Sequence, residues 1–253
     1  MFFSNNLKKF SNLKHCFFSR NCGVSEGIYK SLNCGPGSSD SRKNILQNLE
    51  IVSKKIGVAR NSLFLMNQTH SNKVFFIEEN IMKNQTILSD GLITNLKNKA
   101  IGVLTADCVP VLFYEETKHI IACVHAGWRG AFDGVIENTL SKLINNNKNS
   151  KIHVAIGPCI GAANYEVGIE FYDKFLNKDK INKHFFIPKN KDKFFFNLRE
   201  FVNLKFKNIK NIESVENLNF DTFEDKEHFF SFRRSKLLGE KDYGRCISVI
   251  FLT

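Results

Sequence analysis

The chain has 253 residues, of which 43% are apolar, so it is long enough for a substantial core and too apolar for a disordered protein. Its 36 basic and 25 acidic residues give a net charge of +11, but the lysines are spread along the chain, which favours a solvated surface over a nucleic-acid interface. The apolar runs are too short to cross a bilayer and the N-terminus lacks an apolar signal segment, so we expect a cytoplasmic protein without a membrane partner.

Hydrophobic spacing predicts the elements of the chain in order. Apolar residues recur every three or four positions in 40–56, which predicts a helix that ends at Gly57. The segment 100–115 is rich in apolar and β-branched residues and predicts two strands with a break at 107–110. Further strands are predicted at 63–66, 74–78, 119–124, 152–156, 212–220 and 246–252, and further helices at 131–144, 170–176 and 197–207.

The order of these elements predicts the fold class. Strands and helices mix without regular β-α-β alternation, which favours an α+β fold with mixed sheets over a parallel α/β fold. The sequence contains no internal repeat and no linker rich in proline, glycine or serine. We therefore expect one domain over 1–253.

Three residues that can bind a metal lie at the ends of predicted strands: His70, Cys108 and His125. They are too far apart in the sequence for a zinc finger, whose ligand pairs come from short loops. Catalytic zinc sites commonly use three protein ligands and leave the fourth position for water or substrate. The set therefore predicts a catalytic zinc site, although each residue alone is also compatible with a structural role in a core or a hydrogen bond.

Five motifs that occur in order along the chain carry a resemblance to a known family. They are QTHSNKV (68–74), SDGLIT (89–94), TADCVPVLFYE (105–115), VHAGWRG (124–130) and AIGPCIGAANYEVG (155–168). Together they resemble the multicopper-laccase-like family, also called the YfiH family, whose members are described as purine nucleoside phosphorylases, polyphenol oxidases or peptidoglycan editing factors. The resemblance begins near His15 and extends through FFSFRR (229–234) to the terminal strand.

The resemblance implies a single-domain fold in which β-sheets are layered with helices. It also implies one zinc ion held by His70, Cys108 and His125, which would then be the catalytic centre. The implied reaction is the phosphorolysis of adenosine, inosine or S-methyl-5′-thioadenosine to a base and a sugar 1-phosphate, together with hydrolytic deamination of adenosine. A purine nucleoside and phosphate are therefore the expected binding partners.

The N-terminal motif of the family supplies two candidate substrate-binding residues. Arg20 suits phosphate because its planar guanidinium makes paired hydrogen bonds, but a surface salt bridge is an equal alternative. Asn33, in SLNCG, suits the sugar, but an asparagine near a glycine is as typical of a turn. Asp90 and Asp107 are expected to accept hydrogen bonds from the ligand histidines and so to orient them.

Three other functions remain open. A copper-dependent polyphenol oxidase is disfavoured because a multicopper site needs many histidines, and the chain has seven with no His-x-His pair. A hydrolase in which Cys108 is the nucleophile and His125 its base uses the same residues for different chemistry. A zinc-stabilised, non-enzymatic factor in peptidoglycan fidelity would instead call for a fourth protein ligand, as structural zinc sites have.

Overall fold

A computed structural model describes residues 1–79 and 86–253, and within them the chain forms seven α-helices and thirteen strands. The helices are α1 (Asn5–Lys8), α2 (Arg42–Ile56), α3 (Trp128–Asp133), α4 (Val135–Ile144), α5 (Ile169–Lys178), α6 (Leu198–Leu204) and α7 (Phe232–Leu237). The strands are β1 (Leu13–Phe17), β2 (Leu63–Leu65), β3 (Val74–Phe76), β4 (Gly91–Thr94), β5 (Ala100–Thr105), β6 (Val109–Glu115), β7 (Ile120–Ala126), β8 (Ile152–Ile156), β9 (Glu166–Gly168), β10 (Phe186–Pro188), β11 (Lys193–Phe196), β12 (Ile212–Asn217) and β13 (Cys246–Leu252).

These strands form three sheets. The largest has the order β12-β8-β6-β7-β4-β3, with parallel pairs at its two edges and antiparallel pairs between them. The second has the order β1-β13-β5-β2, in which only the β2–β5 pair is parallel. The third is a small antiparallel sheet of β10, β11 and β9. Mixed sheets combined with helices confirm the predicted α+β class.

The central strand β6 shows why the sequence of this region is continuously apolar. Successive side chains of a strand point to opposite faces of the sheet. Leu112 and Tyr114 pack into a core shared with the second sheet and α2, whereas Val111 and Phe113 pack into a separate core with α4 and α6. Both faces of the strand are therefore buried, which removes the alternation of apolar and polar residues that a half-exposed strand would show.

Helices α2, α5 and α6 follow the sequence patterns, whereas α1 and α7 were not predicted. Helix α2 ends at Gly57, whose φ of +83° is the left-handed conformation that glycine adopts without strain. The single helix predicted at 131–144 is instead two helices, α3 and α4, because Gly134 with φ +98° interrupts the chain between them. In residues 1–79 and 86–253, the structure contains no helix long and apolar enough to span a membrane.

Candidate metal centre and its cavity

His70, Cys108 and His125 converge at one edge of the largest sheet. Antiparallel pairing places Val109 opposite Ala126, so Cys108 before β6 lies beside the end of β7, where His125 is found. The nitrogen and sulfur atoms available for a metal all lie within 4.8 Å of one another. Among the described residues, this is the one group of three or more potential ligands close enough to share an ion.

A single buried carboxylate, that of Asp90, holds both histidines in place. It accepts a hydrogen bond at 2.8 Å from His125 Nδ1, as expected for a residue that orients a ligand. It also accepts from the backbone amides of Thr69, His70 and Ser71 at 3.1, 3.0 and 2.6 Å. His70 has a φ of +56°, a conformation that is uncommon outside glycine, and these bonds stabilise the turn that contains it.

Asp107 has a different role from the one predicted. In the described part of the chain its carboxylate accepts hydrogen bonds from Thr222 Oγ1 at 2.7 Å, Ser231 Oγ at 3.0 Å and the Arg233 amide at 2.7 Å, rather than from a histidine. The expectation that Asp107 orients a ligand histidine is therefore wrong. Two of these donors precede α7 and the third, Arg233, lies in its first turn, so Asp107 fixes the start of α7 against the loop that carries Cys108.

The space around the three ligand atoms depends on the absence of a side chain at residue 127. A Cβ atom on Gly127 would lie 2.7 Å from His70 Nδ1 and 3.0 Å from Cys108 Sγ. Both distances are shorter than an ordinary van der Waals contact, so glycine is what allows the two ligand atoms to approach. The set of two imidazole nitrogens and one thiolate sulfur is also a donor set that zinc accepts, so the residues fit this metal.

The charges of the cluster are coupled to one another. Burial opposes the ionisation of Asp90, but its hydrogen bonds with His125 and Ser71 outweigh burial and lower its pKa. Burial likewise opposes the protonation of His125, but the Cys108 thiolate and the bond with Asp90 raise the pKa of His125 to about 9. Burial and the neighbouring His125 lower the pKa of His70. Since a ligating imidazole is neutral, a metal ion and a proton compete for His125.

The three ligands face a cavity of about 530 Å³, a volume suited to a small organic ligand. His70 is exposed and Cys108 half-buried, so the ligand atoms are accessible from the cavity. Burial raises the pKa of Tyr165, so its phenol is protonated at neutral pH. The cavity is lined by five aromatic residues, Trp128, Tyr165, Phe171, Phe232 and Tyr243.

The two substrate-binding residues predicted from the N-terminal motif do not line this cavity. Arg20 donates hydrogen bonds to the carbonyls of Lys30 at 2.7 Å and Lys226 at 3.3 Å, and its guanidinium lies 4.3 Å from the centre of the Phe230 ring. Asn33 is buried, and its side-chain oxygen accepts a hydrogen bond at 2.9 Å from the Arg245 amide. The structure thus brings the three predicted metal ligands together and places Arg20 and Asn33 outside the cavity, where direct contact with substrate stays a prediction.

Sequence reasoning missed the arginines that do line the cavity, Arg233 and Arg245. Arg233 lies in the FFSFRR motif and Arg245 directly before β13, so family-like segments contained both residues. The aromatic residues Trp128 and Tyr165 likewise lie in VHAGWRG and AIGPCIGAANYEVG. Their motifs marked them, but only the folded chain shows that they face the same space as His70.

Comparison with known proteins identifies curated relatives that align with most of the chain. A Haemophilus influenzae protein named purine nucleoside phosphorylase is 34% identical over 240 residues, which cover 94% of this chain and 93% of the relative. An Escherichia coli protein named purine nucleoside phosphorylase YfiH is 30% identical over 224 residues, which cover 88% and 89% of the two chains.

Solved structures share the fold, and the family sequence pattern matches nearly the whole chain. A Neisseria meningitidis protein is 30% identical with a TM-score of 0.82, and the match covers 96% of this chain and 95% of that one. A Bacillus licheniformis protein named YfiH superposes with a TM-score of 0.89 at 24% identity, covering 97% and 95%, which shows the fold alone. The pattern of the family described as multi-copper polyphenol oxidoreductase laccase matches residues 14–253. The chain therefore belongs to this family, the YfiH family that its motifs resemble.

Proposed function

We propose that this chain is a zinc-dependent purine nucleoside phosphorylase of the cytoplasm that also deaminates adenosine. Its substrates would be adenosine, inosine or S-methyl-5′-thioadenosine together with phosphate, and its products a free base and a sugar 1-phosphate. The observation that carries the proposal is the convergence of His70, Cys108 and His125 on a cavity of about 530 Å³. Relatives named purine nucleoside phosphorylase support the choice of substrate.

Zinc is the metal that the donor set supports best. Three protein ligands leave one coordination position, which is the arrangement of catalytic zinc sites and not of structural ones. Bound zinc supplies Lewis acidity that activates water and polarises an oxygen or nitrogen of the substrate. The family description names copper, but a multicopper centre needs further histidines, and the described residues offer one group of three.

The residues of the chain would contribute binding and orientation. Aromatic side chains such as Trp128 and Phe171 line the cavity and provide the flat apolar surface on which a purine stacks. The protonated phenol of Tyr165 can donate a hydrogen bond to substrate. Asp90 holds His125 with Nδ1 engaged, which leaves Nε2 to face a metal ion.

Phosphorolysis makes two demands on such a site. A phosphate oxygen forms the new bond to C1′ of the sugar while the bond from C1′ to the purine nitrogen breaks. The purine leaves with the bonding electron pair and takes up a proton. Positive charge develops on the sugar during this exchange, so the site must hold the anionic phosphate close to it and support the departing base.

A specific feature favours a second candidate, a hydrolase that uses Cys108 as its nucleophile. Asp90 bonds to His125 at 2.8 Å, and His125 lies beside Cys108, which gives the order of acid, base and nucleophile found in cysteine hydrolases. His70 argues against this candidate, because a catalytic pair of cysteine and histidine does not require a second imidazole at the sulfur.

Product analysis with and without phosphate tests the proposal. Purified protein with about one zinc per chain should convert adenosine and phosphate to adenine and ribose 1-phosphate, and adenosine alone more slowly to inosine. His70→Ala and Cys108→Ala should lose both zinc and both products, whereas Cys16→Ala, at a buried cysteine of β1, should retain them. Absence of both products from zinc-loaded protein would refute the proposal and favour the non-enzymatic alternative.

A further inference from the structure

Two arginines are the only lysine or arginine residues that line the metal-facing cavity in the described structure, Arg233 and Arg245. The acidic residue of the lining, Asp107, is already occupied by three donors from the chain. Neither arginine forms a salt bridge with a carboxylate within 1–79 and 86–253. Among the described residues, the cavity therefore contains two guanidinium groups without a salt-bridge partner.

Within the described part of the chain, few partners accept hydrogen bonds from the two guanidinium groups. A guanidinium has five N–H donors. The hydrogen bonds recorded for these side chains are one from Arg233 Nη1 to the Glu166 carbonyl at 2.9 Å and one from Arg245 Nη1 to the Tyr243 carbonyl at 3.3 Å. Arg234 shows the contrast, because its donors are used by the carbonyls of Thr222, Phe223 and Phe229.

The positions of the two arginines are set by contacts that leave those donors available. The Arg233 amide is bound by Asp107, and its guanidinium lies 5.2 Å from the centre of the Tyr165 ring. The Arg245 amide is bound by Asn33, and its guanidinium lies 4.3 Å from the centre of the Tyr243 ring. Such preorganisation lowers the entropic cost of binding a ligand.

We propose that Arg233 and Arg245 together bind the phosphate that attacks the nucleoside, which rests on the proposed phosphorylase function. The planar guanidinium group of arginine can donate two parallel, charge-assisted hydrogen bonds to two oxygens of a phosphate. Phosphate is also attracted by the positive charge of each guanidinium group, whereas a neutral nucleoside is not. Asn33 is then a positioning residue that acts through Arg245 and does not itself touch phosphate.

The test compares Arg233→Gln and Arg245→Gln with the zinc-loaded wild-type protein. A charge-assisted hydrogen bond accounts for about tenfold or more in affinity. Each variant should therefore raise the KM for phosphate by about tenfold or more, and this increase should exceed any increase in the KM for adenosine. Arg233→Lys and Arg245→Lys keep the positive charge but not the paired N–H donors, so their KM for phosphate should lie between those of the wild-type protein and the glutamine variants. Lys241→Gln, at an exposed lysine near Arg245 but outside the cavity lining, is the matched control and should behave as wild type.

A binding measurement separates this inference from the proposed function. Phosphate alone should raise the Tm of the wild-type protein, and each glutamine variant should lose most of this shift. Unchanged phosphate KM and unchanged Tm shift in both variants would overturn the inference even if phosphorolysis occurs. Loss of the Tm shift in the variants of a protein that converts no nucleoside would support the anion site and refute only the phosphorylase proposal. Comparison of the variants without phosphate by circular dichroism verifies that they are folded.

Discussion

Gly127→Ala is the most direct test of the metal centre, because it adds one atom where two ligands meet. The new Cβ would lie 2.7 Å from His70 Nδ1 and 3.0 Å from Cys108 Sγ. Carbon and nitrogen in ordinary contact are about 3.5 Å apart, so His70 must move by several tenths of an ångström or more. Gly127 has φ −68° and ψ 163°, which alanine adopts freely, so backbone strain contributes nothing to the effect.

The expected loss is in metal affinity. Substitutions next to ligands typically lower metal affinity by about 10–100-fold, and a displaced ligand places Gly127→Ala at least in this range. Fold stability should fall by only about 1 kcal/mol, because alanine is a weaker N-cap than glycine and His70 is exposed enough to rotate away. Zinc affinity is measured by competition with a chromophoric chelator, and stability by urea unfolding of the metal-free protein.

Gly168→Ala is a closely matched control. Gly168 lines the same cavity and, like Gly127, precedes the first residue of a helix, but a Cβ there would meet nothing within 4 Å. It should retain wild-type zinc affinity. If Gly127→Ala also binds zinc within about twofold of wild type, His70 and Cys108 do not jointly hold the ion and the assignment of the centre is wrong.

Three further predictions follow from other contacts. Asp90→Asn should lower zinc affinity by about 10–100-fold in the same competition assay, because the neutral amide weakens the bond that orients His125, and an unchanged affinity would contradict this role. Cys108 should resist iodoacetamide in zinc-loaded protein and react after chelation, while exposed Cys22 reacts in both states; a substrate adduct on Cys108 found by mass spectrometry would instead support the hydrolase. Burial lowers the pKa of His15 to about 4, so between pH 6.5 and 4 the unfolded chain binds a proton that the folded chain does not. The free energy of unfolding should therefore decrease as the pH is lowered through this range, by up to about 1.4 kcal/mol per pH unit. In urea unfolding at pH 5 and pH 7, His15→Gln should reduce this dependence, and an identical dependence in the variant would rule out His15 as its source.

The parts of the fold that the sequence predicted are those with strong local patterns. The strands at 152–156 and 246–252 have the predicted bounds because they are buried throughout and contain almost only apolar residues. The small sheet of β9, β10 and β11, whose strands have three or four residues, was not predicted. Short strands of this kind are stabilised by contacts distant in sequence, here by clustered phenylalanine rings, and not by local periodicity.

The candidate site likewise contains residues that the sequence predicted and residues that it did not. Residues that can bind a metal are recognisable by type, so His70, Cys108 and His125 were predictable as a set. The cavity arginines were not, because their position depends on contacts between segments more than 100 residues apart. The hydrogen bond from the Arg233 amide to Asp107 spans 126 residues, and that from the Arg245 amide to Asn33 spans 212. Nothing in the local sequence of either arginine indicates such a partner.

Asp107 connects the candidate metal centre with the proposed phosphate site. Cys108 follows it directly in the chain, and the Arg233 amide donates to its carboxylate, so a metal ligand and a proposed phosphate ligand are fixed to the same residue. Its φ of +88° turns the chain sharply at this point. A shift of this carboxylate would therefore move Cys108 and Arg233 together, whereas a shift of Asp90 would move only the two histidines. Under the proposed function, Asp107 therefore couples the position of one metal ligand to that of one phosphate ligand.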